Sequence, residues 1–182
     1  MVLTVPGLWS SGPEHWQTYW ERVLPACRRV EQKEWETPHC AAWIATLDAA
    51  VTATRPPVAL AAHSLGCVAV AHWANKYGRA VAGALLVAPT DVEGPKFPPG
   101  AEGFQPMPLE RLPFPSMVVA SEDDPWVSLE RARFFAERWG SRFVNLGRVG
   151  HINSDSKLGE WPQGQELMRE LLAGNEGIGD RG

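Results

Sequence analysis

Short apolar runs alternate with amphipathic stretches along the whole chain. Met1 to Val5 is apolar and is cut off by Pro6-Gly7, which predicts a first strand. Glu14 to Leu24 carries Trp16, Trp20, Val23 and Leu24 at helical spacing and ends at Pro25, so a helix follows. Arg28 to Gln32 is a weak second strand, placed because a strand is due between two helices. Ala41 to Thr54 repeats Ile44, Leu47 and Val51 on one stripe and stops before Pro56-Pro57. From Val58 the chain reads Val-Ala-Leu-Ala-Ala, then His63-Ser64-Leu65-Gly66, then helix-compatible sequence to Tyr77. That order is strand, sharp turn, helix.

Val81 to Ala88 is apolar apart from Gly83, as expected of a strand buried on both faces. Seven prolines (95, 98, 99, 106, 108, 113, 115) then fall between Gly94 and Pro115 and exclude a regular helix of useful length there. Ser116 to Ser121 is a further strand, Ser128 to Trp139 a helix, Arg142 to Leu146 a sixth strand and Gln163 to Leu172 a last helix. Strands alternating with helices at short spacing predict an α/β fold, with a mostly parallel six-stranded sheet and helices on both faces. We read residues 1–173 as one domain and residues 174–182, rich in glycine and charge, as a tail.

Composition narrows the function without naming it. The chain has 182 residues and a formal net charge of −4, with a pI near 5.7, and it lacks the basic stripe of a nucleic-acid partner. There is no charged leader before the first strand and no apolar run of membrane-spanning length, so a cytoplasmic protein without membrane partners is expected. Cys27, Cys40 and Cys67 form neither a C-x-x-C pair nor an even disulfide set, which suits a reducing compartment and argues against a metal site. Cys67, three residues past Ser64, is read as a packing residue. The nine tryptophans are expected to fill core and line a pocket.

The chemistry gathers at strand ends. Ser64 follows the third strand in A-H-S-L-G, a variant of the G-x-S-x-G elbow that lifts a serine above a sheet at a helix N-terminus. Asp124 lies in Ser121-Glu122-Asp123-Asp124-Pro125-Trp126 after the fifth strand, and His151 follows Gly147-Arg148-Val149-Gly150 after the sixth. A serine hydroxyl needs an imidazole to take its proton, and the imidazole needs a carboxylate to hold its tautomer. Asp124 is preferred as the acid because Asp-Pro-Trp-Val forms a short turn into the next helix; Asp123 and Asp91 are the alternatives. His15, His39, His63 and His72 are read as structural, with His63 pointing away from the elbow. Oxyanion donors are expected from the N–H of Leu65 and from the loop Pro6 to Gly12, through Leu8 or Trp9, with Leu8 taken as the donor. That loop lacks G-x-G-x-x-G and a Walker lysine, which disfavours nucleotide binding. Trp9 and Trp126 are the expected pocket walls.

PGLWSSGPEHW (6–16), AHSLGCVAVAHW (62–73), ALLVAPTDVE (84–93), SEDDPWVS (121–128) and GHINSDSKLGEWPQG (150–164) together span nearly the whole chain. In these strings the sequence resembles a small serine hydrolase family of the α/β-hydrolase fold, which also contains retinoblastoma-binding-protein-type hydrolases and bacterial esterase-like proteins. The resemblance implies Ser64, Asp124 and His151 as the triad of a single-domain α/β-hydrolase. The segment 94–115 stands where larger hydrolases insert a helical cap and is too short and proline-rich for one, so an open site is expected. The function expected is cofactor-free cleavage of small ester-like acyl substrates. Thioesterase or peptidase chemistry, and a protein-interaction module on the same scaffold with a protein partner, are the alternatives.

Overall fold

The computed structural model describes residues 1–176. Its six strands are β1 (Val2–Val5), β2 (Cys27–Arg29), β3 (Ala59–His63), β4 (Gly83–Val87), β5 (Ser116–Ala120) and β6 (Arg142–Asn145). They form one sheet in the order β2-β1-β3-β4-β5-β6, every pair parallel. The helices are α1 (Trp16–Val23), α2 (Cys40–Thr52), α3 (Leu65–Tyr77), α4 (Leu129–Trp139) and α5 (Pro162–Glu176). Among the described residues no helix is long and apolar enough to cross a membrane.

The central strands read as unbroken apolar runs because both of their faces are covered. Leu60, Ala62, Ala84, Leu86, Val118 and Ala120 pack under α2, α3 and α4, beside Trp43, Leu47, Trp73 and Phe135. Their neighbours Ala59, Ala61, Leu85, Val87, Met117 and Val119 face Trp16 and Trp20 of α1 and Leu167, Met168 and Leu171 of α5. This is the two-residue period of a strand, with each set of alternate residues meeting its own layer of helices.

Two elements, β2 and α5, differ most in extent from the sequence reading. β2 is only three residues long; its pairing ends as Val30 N–H reaches Thr4 O, and Gln32 then turns inward to donate to Trp43 O at 3.2 Å. α5 begins at Pro162, where the missing proline N–H costs nothing, and continues to Glu176 rather than stopping at Leu172. Residues 174–176 of the expected tail are therefore helical, and 177–182 lie outside the described residues. The proline-rich segment forms no helix, as expected, yet Phe104, Met107, Leu112 and Phe114 are buried in the core below it. It completes one face of the sheet, held by His72 Nε2–H to Phe104 O at 3.0 Å and Trp139 Nε1–H to Pro108 O at 2.7 Å.

The order of strands puts the switch point between β1 and β3, where loops diverge and ligands commonly sit. Two glycines allow the close approach there. A Cβ on Gly66 would lie 2.2 Å from Val5 O, and one on Gly7 would lie 2.8 Å from Ser64 Cβ.

Candidate active site

Ser64 joins β3 to α3 with φ 55° and ψ −124°, a conformation that side chains other than glycine rarely adopt. Its own N–H still donates to Val87 O at 2.9 Å, so the strand pairing holds up to the bend. The alanine that replaces the first elbow glycine, Ala62, is fully buried in the core, and the left-handed residue of the turn is the serine itself. Leu65 opens α3 directly behind it, so its N–H is one of the unbonded donors of a helix N-terminus.

Ser64, His151 and Asp124 come together as a hydrogen-bonded chain. Ser64 Oγ is 2.9 Å from His151 Nε2, and His151 Nδ1 is 2.9 and 3.0 Å from the two oxygens of Asp124. The Asp124 side chain is 0 % exposed and that of His151 9 %. Asp124 Oδ1 also accepts the N–H of Trp126 at 2.8 Å, the bond expected when an Asx residue starts a turn. One backbone N–H and one imidazole thus converge on this carboxylate.

The competing acids are engaged elsewhere. Asp123 accepts from Ser121 Oγ at 2.9 Å and from Gly150 N–H at 2.8 Å, and the Gly150 bond chiefly holds its carboxyl below the usual range. Ser121 Oγ in turn accepts Val149 N–H at 3.0 Å. The turn after β5 therefore grips the loop that carries His151. Asp91 is paired with the guanidinium of Arg131 at 2.9 and 3.1 Å.

Two histidines read as structural stand beside the site. His63 does not turn away from it. Its Nε2–H donates to the carbonyl of His151 at 2.9 Å and its ring centroid is 4.8 Å from that of His151. His15 caps α1 by accepting Gln17 N–H at Nδ1 and meets His63 edge-on at 4.6 Å. Burial pushes His63 well below the ordinary imidazole value, and burial, then the charge of Arg29, brings His15 down to about 3. Both are neutral walls of the pocket. No local sequence pattern marks them; they meet His151 only because β3 and the start of α1 adjoin its loop. His39 and His72 lie apart, beside Glu102 and Phe104.

The loop after β1 is ordered by bonds to its neighbours. Trp9 N–H donates to Trp35 O at 2.9 Å, which removes Trp9 from the two oxyanion candidates and leaves Leu8. Arg29 of β2 donates to Ser10 Oγ at 3.2 Å, Ser11 O at 3.0 Å and Thr18 Oγ1 at 2.7 Å. Its charge is met by Glu21 at 2.9 Å. A cavity of about 350 Å³ opens over Ser64, with Leu8, Trp9, Phe97, Pro98 and Trp126 on its apolar side. Trp9 is 61 % exposed at its rim. Cys67 is buried under the elbow, its thiol donating to Val87 O and pushed far up by burial, so it is no rival nucleophile. Among the described residues no group of three or more His, Cys, Asp or Glu could hold a metal.

A parallel sheet in this order, with a strained serine at the switch point, defines the molecule as an α/β-hydrolase. The chain belongs to the serine hydrolase family, whose model matches residues 2–170. Among solved structures it is similar to a YdeN-like hydrolase of Pectobacterium atrosepticum, with 31% identity, a TM-score of 0.85, and 96% of this chain and 91% of that one covered. It is also similar to the ydeN gene product of B. subtilis, with 18% identity, a TM-score of 0.78, and 94% and 98% covered. A thermophilic esterase from Thermogutta terrifontis shares the fold at 18% identity and a TM-score of 0.67, with 93% and 89% covered. No curated protein matches the chain in sequence.

Proposed function

We propose that this hydrolase cleaves small ester-like acyl substrates through an acyl-serine intermediate, with Ser64 as nucleophile, His151 as base and Asp124 as the orienting acid. The observation that carries the reading is the unbroken chain from Ser64 Oγ through the imidazole to a fully buried carboxylate, every link within 3.0 Å. Ser64 Oγ attacks the acyl carbon while its proton passes to His151 Nε2, and the imidazolium so formed is stabilised by Asp124. The carbonyl oxygen gathers negative charge and takes N–H bonds from Leu8 and Leu65, each donor contributing about 10²–10³ in rate. Collapse expels the alcohol with the proton held on His151. A water then repeats the sequence against the acyl-enzyme, and the acid leaves. No cofactor enters this chemistry.

Trp9 and Trp126 act as walls for the acyl or alcohol group. The mouth carries Phe97 and Pro98 from the proline-rich segment and no helical cap, which favours short acyl chains over long ones. An interaction module built on the same scaffold would have no need of a buried acid behind its histidine, and this weighs against the binding reading.

Intact-mass analysis after treatment with a fluorophosphonate probe tests the assignment. Wild type should gain one adduct, on Ser64, and Ser64→Ala none; labelling that persists in Ser64→Ala or moves to Cys67 overturns it. On a panel of p-nitrophenyl esters, turnover should be greatest at acetate or butyrate, and a maximum at long chains contradicts the open, uncapped site.

A further inference from the structure

Thr90 lies just beyond β4, where Ala88 adopts φ 50° and bends the chain. It is 6 % exposed, and its Oγ1 is 2.8 Å from Ser64 Oγ. The direction of this bond follows from the groups around it. Both Asp124 oxygens face His151 Nδ1, and a carboxylate can only accept, so Nδ1 carries the proton of the neutral ring. Nε2 is then bare and accepts from Ser64 Oγ–H. Ser64 has no second proton, so Thr90 is the donor.

We propose that Thr90 is a catalytic residue that assists the second half of the reaction by hydrogen-bonding Ser64 Oγ as it leaves the acyl group. The inference rests on Ser64 being the nucleophile. β3 is flanked by β1 on one side and β4 on the other, so Thr90 approaches Oγ from the flank opposite the Leu8 loop. Oγ thus has three directions besides its own Cβ: His151, Thr90 and the acyl carbon.

The bond serves the two half-reactions unequally. In acylation it draws electron density from the nucleophile, so it offers no gain there. In the acyl-enzyme Oγ has lost its proton and has become the leaving group. Water adds to the acyl carbon as its proton moves to His151; the C–Oγ bond then breaks, the electron pair stays on Oγ, and His151 returns the proton to it. Thr90 keeps its own proton throughout and stabilises the charge that builds on Oγ as the bond breaks. His151 cannot supply this alone, since its proton arrives only as the bond breaks.

The test uses p-nitrophenyl acetate with the full chain, rapid acid quenching and intact-mass detection of the acyl-enzyme, which reads its formation and its decay separately. Thr90→Val should slow decay by about tenfold or more, the scale of one hydrogen bond to a partly charged oxygen, while formation changes by less than about threefold. Thr90→Ser should decay within about threefold of wild type. Should Thr90→Val not fold, Thr90→Ala carries the same expectation. Decay at the wild-type rate without the hydroxyl, or formation and decay slowed by the same factor, overturns the proposal, the second result marking Thr90 as a packing residue. Failure of the underlying reading looks different: no acyl group or fluorophosphonate adduct appears on Ser64 in any variant.

Discussion

Adjacent aspartates in the turn after β5 receive opposite assignments from their surroundings. Asp124 is sealed from water with both oxygens toward His151, whereas Asp123 remains partly exposed and holds a backbone N–H of the histidine loop. Replacing Asp124 by Asn removes the charge behind the imidazole and permits the wrong tautomer, so turnover should fall by roughly several thousandfold. Asp123→Asn keeps an oxygen for Gly150 N–H, and Asp91→Asn disturbs only the pairing with Arg131; both should stay within about tenfold. Steady-state kinetics on the three variants settles which carboxylate acts, and near-normal turnover in Asp124→Asn refutes the choice. The pairing of an aspartate after β5 with His151 was legible in the strand-end placement of the Asp-Asp-Pro-Trp string. The choice between neighbours followed from turn chemistry, because Asp124 forms the short turn to Trp126.

Between elements, the histidine loop is held by α1. Trp16 Nε1–H donates to Ile152 O and Trp20 Nε1–H to Glu160 O, each at 2.9 Å, and both rings pack edge to face or stacked against Trp161. Gly164 leaves room for that indole, since a Cβ there would lie 2.2 Å from it. Ile152 is buried and held at φ 50° immediately after His151, a conformation costly for a β-branched residue. The bond from Trp16 helps to keep it there. Trp16→Phe keeps an aromatic ring against Trp161 but loses that bond and leaves a cavity at a buried position, so we expect unfolding free energy to drop by about 2–3 kcal/mol. Turnover should fall by about tenfold because His151 is displaced. Urea unfolding and kinetics on one preparation check both, and unchanged turnover would show that α1 does not position the loop. Trp16 of one family-like string and the loop of another are thus parts of one contact, invisible to a reading that treats each string by itself.

For the whole molecule, the two buried histidines link stability to acidity. In the unfolded chain His15 protonates near 6.5, while in the folded protein it stays neutral down to about 3; His63 is shifted in the same direction. Below the unfolded value the unfolded chain therefore binds protons that the native state refuses. Stability should be intact above about pH 6.5 and decline as pH falls toward 3, by up to about 1.4 kcal/mol per pH unit for each imidazole. His15→Asn keeps an acceptor for Gln17 N–H and removes one titrating ring. Urea unfolding of this variant between pH 6 and 4 should show a shallower decline than wild type, and parallel curves would mean that His15 ionises normally in the folded state.

Chain order and strand ends determined much of this protein by themselves. Alternating apolar runs and helical stripes specify a parallel sheet because each strand must bury two faces, and the S-x-G turn after the third run places a serine at the switch point. Serine, acid and histidine fall at the ends of β3, β5 and β6 for the same reason: parallel strands all present their carboxyl ends to one edge. Only the folded chain decided what surrounds them. Thr90, His63, His15 and Arg29 carry no local signature of a place at the site. Each acquires its contact through a distance along the sequence that packing closes. Leu8 was preferred over Trp9 as an oxyanion candidate from sequence without a contact to separate them, and the bond from Trp9 N–H to the Trp35 carbonyl supplies one. The proline-rich segment read as a loop because proline excludes a helix, whereas Phe104 and Phe114 enter the core through side-chain burial, which needs no regular backbone. Periodicity records which backbone hydrogen bonds repeat; the contacts of a site are made once, and three-dimensional proximity alone reveals them.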